Sequence, residues 1–307
     1  MIRNFLFHRV NPKRDSLWDP MDPILFEKSI KHIKNKYDIL TFEELVGSER
    51  LHSTHKIATI MFDDGYKDNI EYAAPILDKY NVKASFYVVT DCIDNNTPTW
   101  THVLEYSFQF TTASKLDLDF SFLPEEFKNF RFNNLNERLI CVKKIKPYLK
   151  KLKHEERKKI LKQIVEQLKI EEYPKLMMNW GDLLELKDRG HYIGSHTVSH
   201  SMLGTNNDNK EVLDELILSG QIIKKNLGYF PDTISYPVGS YNSKTKELAK
   251  EAGYKIGLAV NQRLYNPKEQ DLYEVSRIEL YNENWFKTKM RISNKLEDIK
   301  NLIGYRK

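Results

Sequence analysis

The chain has 307 residues, 40% of them hydrophobic and 30% charged, with a net charge of +5. That is enough material for a large core and fits a globular protein rather than a disordered or fibrous one. No apolar run reaches the roughly 18 residues of a membrane span, and Cys92 and Cys141 make neither a disulfide framework nor a cysteine metal site. The charge is too mild to suggest a nucleic-acid partner.

The opening "MIRNFLFHRVNPKRD" holds an apolar run of a few residues, too short for a secretion-signal core, so the expected location is the cytoplasm. "NFLFH" (4–8) reads as a short strand. Residues 23–37 read as a helix, with Asp22 as N-cap, Pro23 in the first turn and Phe26, Ile30, Ile33 and Tyr37 on one face. "KIATIMF" (56–62) is a buried strand that runs into Asp63, Asp64 and Gly65. Residues 69–80 are helical with a bend or break at Pro75, and 83–89 form the next strand. Residues 181–190 make a helix stopped by glycine, and "HYIGS" is a strand. A long helix covers 209–227, and "TISY" (233–236) is a strand. A helix at 243–252 closes on Gly253, and the strands 255–260 and 273–280 end the pattern. About seven strands separated by helices predict an α/β fold, a distorted (β/α)7-type barrel with its site at the C-terminal strand ends. No repeat or linker divides residues 1–307, so a single domain is expected.

One stretch breaks the rhythm. Residues 91–178 are too long for a strand-to-helix loop, and a mainly helical insertion at about 95–177 is expected over the barrel mouth. Helical spacing runs through Ile145, Leu149, Leu152, Ile160, Ile164 and Leu168. The basic run "KKIKPYLKKLKHEERKKILKQ" (143–163) fits a solvated helix face. The alternative is a surface that holds an anionic substrate or touches a membrane.

Two stretches carry chemistry. Two aspartates side by side at the end of a buried strand are costly through repulsion and desolvation unless a cation or an acid–base task offsets the cost. In "GSHTVSHSML" (194–203), His196 and His200 are four residues apart beyond another strand, a spacing that aims two imidazoles at one point. Two imidazoles and one carboxylate make a three-ligand metal site with positions left for water and substrate. The second carboxylate then faces that water, whose acidity the cation increases, and can take its proton.

"FDDG" (62–65) together with "HTVSH" (196–200) resembles the NodB-homology polysaccharide deacetylases, carbohydrate esterase family 4. The resemblance implies an amide hydrolase acting on an N-acetylated amino sugar. It implies Asp63 as catalytic base and Asp64, His196 and His200 as ligands of a divalent metal, usually Zn2+, with Co2+, Ni2+ or Mn2+ as substitutes. "SYPVGSYN" (235–242) resembles the family's third motif, which gives the Tyr236 backbone N–H the role of oxyanion donor and lets Tyr241 and Asn242 line the groove. Two features depart from the pattern. The arginine of that motif is replaced by Thr233, and residues 265–307 hold no histidine to serve as the acid. "FLFHRV" (5–10) resembles the opening of the circularly permuted branch, which includes poly-N-acetylglucosamine deacetylases, and this assigns the acid role to His8. Arg277 in "VSRIEL" resembles an arginine of that branch and can pair with Asp63 or serve a structural salt bridge. Trp100 and Trp180 are the candidates for stacking on sugar, with core packing open for Trp180. His102 and His191 are expected in core or surface positions. A carrier-linked, phosphate-bearing precursor of a surface glycan suits the expected location and the basic insertion. Deformylation, O-deacetylation or sugar binding without turnover on the same scaffold are the alternatives.

Overall fold

The strands expected between helices lie side by side in one curled parallel sheet. The protein is described by a computed structural model covering residues 1–52 and 55–296. The strands are β1 (Arg3–Phe7), β2 (Asp38–Ile39), β3 (Ile57–Asp64), β4 (Ser85–Val88), β5 (Lys115–Asp117), β6 (Asn129–Arg131), β7 (Tyr192–Ser195), β8 (Thr233–Ser235), β9 (Ile256–Leu258) and β10 (Ile278–Glu279). The sheet order is β10-β1-β3-β4-β7-β8-β9, with β2 paired to the start of β3 and the pair β5–β6 apart as a small antiparallel sheet. Val275 bridges to Leu258 of β9, and three residues later Ile278 pairs with Phe5 of β1, so this last segment joins the two sides of the curl. The expected strand 273–280 is therefore divided between two partners, and only Ile278–Glu279 is regular.

The alternation of β3 separates the layers. Ala58, Ile60 and Phe62 pack outward with Phe26, Ile30 and Ile33 of the helix Pro23–Lys34, in the core that also holds Phe7 and Phe86. Ile57 and Met61 pack on the other face with Tyr87, Ile256, Leu258 and Val275. Asp22 caps the Pro23–Lys34 helix by accepting from Ile24 N, as the sequence predicts. The 69–80 segment divides into a π-helical turn, Asn69–Ala73, and the helix Ala74–Lys79, with Pro75 in the first turn of the second piece.

Between β4 and β7 the chain forms the helices Trp100–Phe110, Leu135–Leu149 and His154–Leu168, with β5 and β6 beside them. Ile145, Leu149, Ile160, Ile164 and Leu168 are buried in a cluster separate from the barrel cores, and Leu152 packs against it. The insertion thus carries its own apolar core, and the Leu135–Leu149 helix brings basic side chains to the barrel mouth.

Candidate metal and acid–base site

β3 should send neighbouring side chains to opposite faces, yet Asp63 and Asp64 both line one pocket. The reason is local: Asp64 has φ 77° and Gly65 φ 89°, so the strand turns between the carboxylates. A Cβ on Gly65 would lie 3.0 Å from Ile93 Cδ1 and 3.1 Å from Val88 Cγ1, and the turn therefore also needs glycine for space. Thr197, His200 and Val238 also have positive φ, so strained backbone gathers around this pocket.

Asp63 is buried and doubly gripped. Arg277 donates from Nη1 to Oδ1 at 2.8 Å and from Nη2 to Oδ2 at 2.9 Å, and Ser235 Oγ donates to Oδ2 at 3.0 Å. Arg277 is itself held by Ala259 O (3.0 Å) and Ser235 Oγ (2.8 Å). Burial alone would raise the Asp63 pKa, but the Arg277 and His196 charges more than offset it, so the carboxyl stays below its ordinary range. Thr233, which stands where the sequence comparison looked for arginine, points elsewhere and donates to Glu43.

Asp64, His196 and His200 converge. Asp64 Oδ1 lies 3.4 Å from both His196 Nε2 and His200 Nε2, and one ligand atom from each residue falls within 4.8 Å of the others. Asp64 Oδ1 is a buried oxygen without a hydrogen-bond partner, a costly state that a bound cation relieves. His196 Nδ1 lies 2.8 Å from Ser235 O, which makes Nδ1 the protonated nitrogen and leaves the Nε2 lone pair facing Asp64. Burial lowers the His196 pKa, but Asp63 and Asp64 together raise it above the usual range; His200 is pushed down to about 3 by burial, with Asp64 offsetting only part. Burial opposes the Asp64 charge too, and the two imidazoles hold its carboxyl far below normal. One carboxylate and two imidazole nitrogens at this spacing fit a divalent ion such as zinc.

The pocket encloses about 290 Å³ and is lined by His8, Trp18, Asp63, Asp64, Thr101, Lys146, Lys150, His196, His200, Val238, Val260 and Glu279. His8 reaches it from the end of β1, with Nδ1 3.4 Å from Glu279 Oε1 and its ring edge-on to Trp18 at 5.3 Å. Sequence reasoning missed Glu279 and Trp18. Glu279 was within reach, because it stands two residues after Arg277 in the segment read as a strand over 273–280, where that spacing puts both on one face. Trp18 lies in an irregular loop, where no periodicity marks it.

Five expected site residues lie elsewhere. Tyr236 is buried, its N–H donates to Leu258 O at 3.1 Å and its hydroxyl donates to Tyr273 O, so the sheet already uses the N–H assigned to an oxyanion. Tyr241 stacks on Tyr236 at 5.0 Å, and Asn242 caps the helix Ser243–Glu251 while donating to Gly204 O. Trp100 is absent from the pocket wall; its Nε1 donates to His200 O at 3.2 Å and braces the histidine loop. Trp180 heads the helix Trp180–Asp188, packs on the outer core and donates to Asp94. His102 and His191 are buried, as expected for core positions.

The sequence profile of the polysaccharide deacetylase family matches residues 51–131 and 141–257. It includes both aspartates and both histidines, and stops short of β1 and β10, at or beside which His8, Arg277 and Glu279 lie. The Bacillus subtilis protein YxkH, which carries the polysaccharide deacetylase name, is 22% identical over 256 residues, 82% of this chain; the match spans 63% of YxkH. Among solved structures, the Streptococcus pyogenes deacetylase PplD in complex with acetate is 19% identical, covers 96% of each chain and has a TM-score of 0.61. A de-N-acetylase from Aggregatibacter actinomycetemcomitans (16%, 95% of this chain and 99% of that one, TM-score 0.60) and IcaB from Ammonifex degensii (13%, 95% and 96%, TM-score 0.59) are also similar. At these identities the likeness carries the fold alone.

Proposed function

Because this chain belongs to the polysaccharide deacetylase family, we propose that it hydrolyses the N-acetyl amide of an amino sugar. The observation that carries the reading is a buried, ion-paired Asp63 beside an orphaned Asp64 oxygen and two imidazoles, all facing one pocket. In this reading Asp64, His196 and His200 hold a divalent ion, by preference zinc. When bound, that ion supplies Lewis acidity to the attacking water and the amide carbonyl. Asp63 takes a proton from the water, and Arg277 and Ser235 keep its carboxylate ionised and aimed. His8 gives a proton to the departing nitrogen, with Glu279 holding its Nδ1. The products are acetate and a free amine. The oxyanion donor moves from Tyr236 to the Val238 loop, which turns at φ 58° in the pocket wall.

The substrate class in this proposal is a carrier-linked amino sugar, on a nucleotide or a lipid, made in the cytoplasm for a surface glycan. Among the described residues no helix is long and apolar enough to cross a membrane.

The test is acetate release from N-acetylated amino sugars, with metal content measured in the same samples. Asp63→Asn is expected to keep its ion and lose roughly 10²–10⁴-fold in rate, the usual contribution of a positioned base. His8→Ala should slow amide substrates in the same range. A wild-type rate in Asp63→Asn removes the base assignment, and formate in place of acetate moves the reaction to deformylation.

A further inference from the structure

The charges around the pocket are matched with one exception. Asp63 is paired with Arg277, Glu279 faces His8, and Asp64 faces the two histidines. Lys146, from the insertion's Leu135–Leu149 helix, donates to the buried Glu105 at 2.5 Å. Lys150, one turn on at the end of that helix, also lines the pocket, and its ammonium has no hydrogen-bond or ion-pair partner among the described residues. A partly buried cation without a directly paired counter-charge costs free energy that a bound anion returns. Burial and then the neighbouring Lys146 push the Lys150 pKa down, and Glu105, Glu279 and Asp64, none of them within ion-pair distance of its ammonium, offset only part of this.

We propose that Lys150 is a specificity residue that binds an anionic group of the substrate inside the deacetylation pocket, in the same bound molecule whose amide faces Asp63 and His8. The proposal rests on the hydrolase reading above and deepens it. A lysine ammonium is a point charge without the planar fork of arginine, so it recognises negative charge rather than a particular geometry. A phosphate or a carboxylate on or beside the amino sugar meets that requirement. The Lys146–Glu105 pair keeps Lys146 occupied and leaves Lys150 as the group offered to the ligand. The rest of the basic run is not needed for this recognition. Lys162, for example, lies exposed one helix away beside Glu166.

The experiment measures both kcat/KM and equilibrium binding. Three N-acetylated amino sugars are compared as substrates: one with a phosphate, one with a carboxylate and one neutral. Their deacetylated counterparts are titrated calorimetrically, which needs no turnover. Wild type should favour an anionic ligand over the neutral one by about tenfold or more in both measurements. Lys150→Gln should bring that ratio close to one, and Lys162→Gln should keep it. A preference for phosphate over carboxylate identifies the source of the charge. Equal handling of all three by wild type, or the same ratio in Lys150→Gln as in wild type, overturns the proposal. If no substrate is deacetylated, the hydrolase reading fails while the calorimetric ratios still decide the role of Lys150.

Discussion

Asp63 and Asp64 divide one strand end between two environments. Asp63 faces a guanidinium, and Asp64 faces two imidazoles across 3.4 Å gaps. Removing the guanidinium in Arg277→Gln leaves a buried carboxylate unpaired, at a cost of about 3–5 kcal/mol. The folded-state pKa of Asp63 lies below its unfolded value, so its stabilisation is present above the ordinary carboxylate pKa and is lost as pH falls through the depressed one. The melting gap between wild type and Arg277→Gln should therefore be widest near neutrality and shrink in acid. The acid limb of kcat/KM should move to higher pH in the variant, and an unmoved limb would show that Arg277 does not set the state of Asp63. The aspartates and histidines were legible because their spacing is local. The Tyr236 N–H assigned to an oxyanion is instead a donor to Leu258 O, a pairing across strands that a single motif does not reveal. Ser235 turns in to Asp63, Tyr236 turns away, and the next pocket residue is Val238.

At the scale of strands and helices, apolar runs and caps located most elements. The 209–227 helix has the predicted bounds, and Asp208 caps it. What periodicity could not give is which strand ends carry polar groups into the interior. The clearest case is at Glu43 of the helix Phe42–Val46, where the starts of two strands meet it. It accepts from Ser85, Tyr87 and Thr233 hydroxyls contributed by β4 and β8. Burial raises its pKa, and the three hydroxyls offset only part of the shift. With a raised folded-state pKa, Glu43 stabilises the fold below the ordinary carboxylate pKa, and this is lost as pH rises through the raised value. Glu43→Gln should therefore gain on wild type in melting temperature as pH increases from about 4 to 8. A pH-independent difference would place the ionisation elsewhere.

Across the whole molecule, the site draws on distant parts of the chain. Asp64 comes from β3, and His196 and His200 follow β7. An ion bound only by the folded state adds stability by mass action, about 2.7 kcal/mol at a hundredfold excess over Kd. Chelation of the metal-loaded protein should lower its melting temperature, zinc should restore it, and His196→Ala should abolish the response. Identical melting with and without zinc would contradict a folded-state metal site. The barrel and the insertion were legible from the alternation of elements and its one interruption. Closure through Val275 and Ile278 was not, since bridges of one or two residues leave no pattern in a sequence.

That closure bears on how the molecule becomes active. Asp63 and Arg277 are 214 positions apart, and Glu279 joins His8 across the same seam between β1 and β10. Contacts so remote in sequence tie this half of the site to the docking of the last strand segment. Asp64, His196 and His200 all precede residue 201 and lie on β3 and after β7, away from that seam. Displacing the last strand from the first would take Arg277 from Asp63 and Glu279 from His8 and leave the cluster of Asp64, His196 and His200 in place.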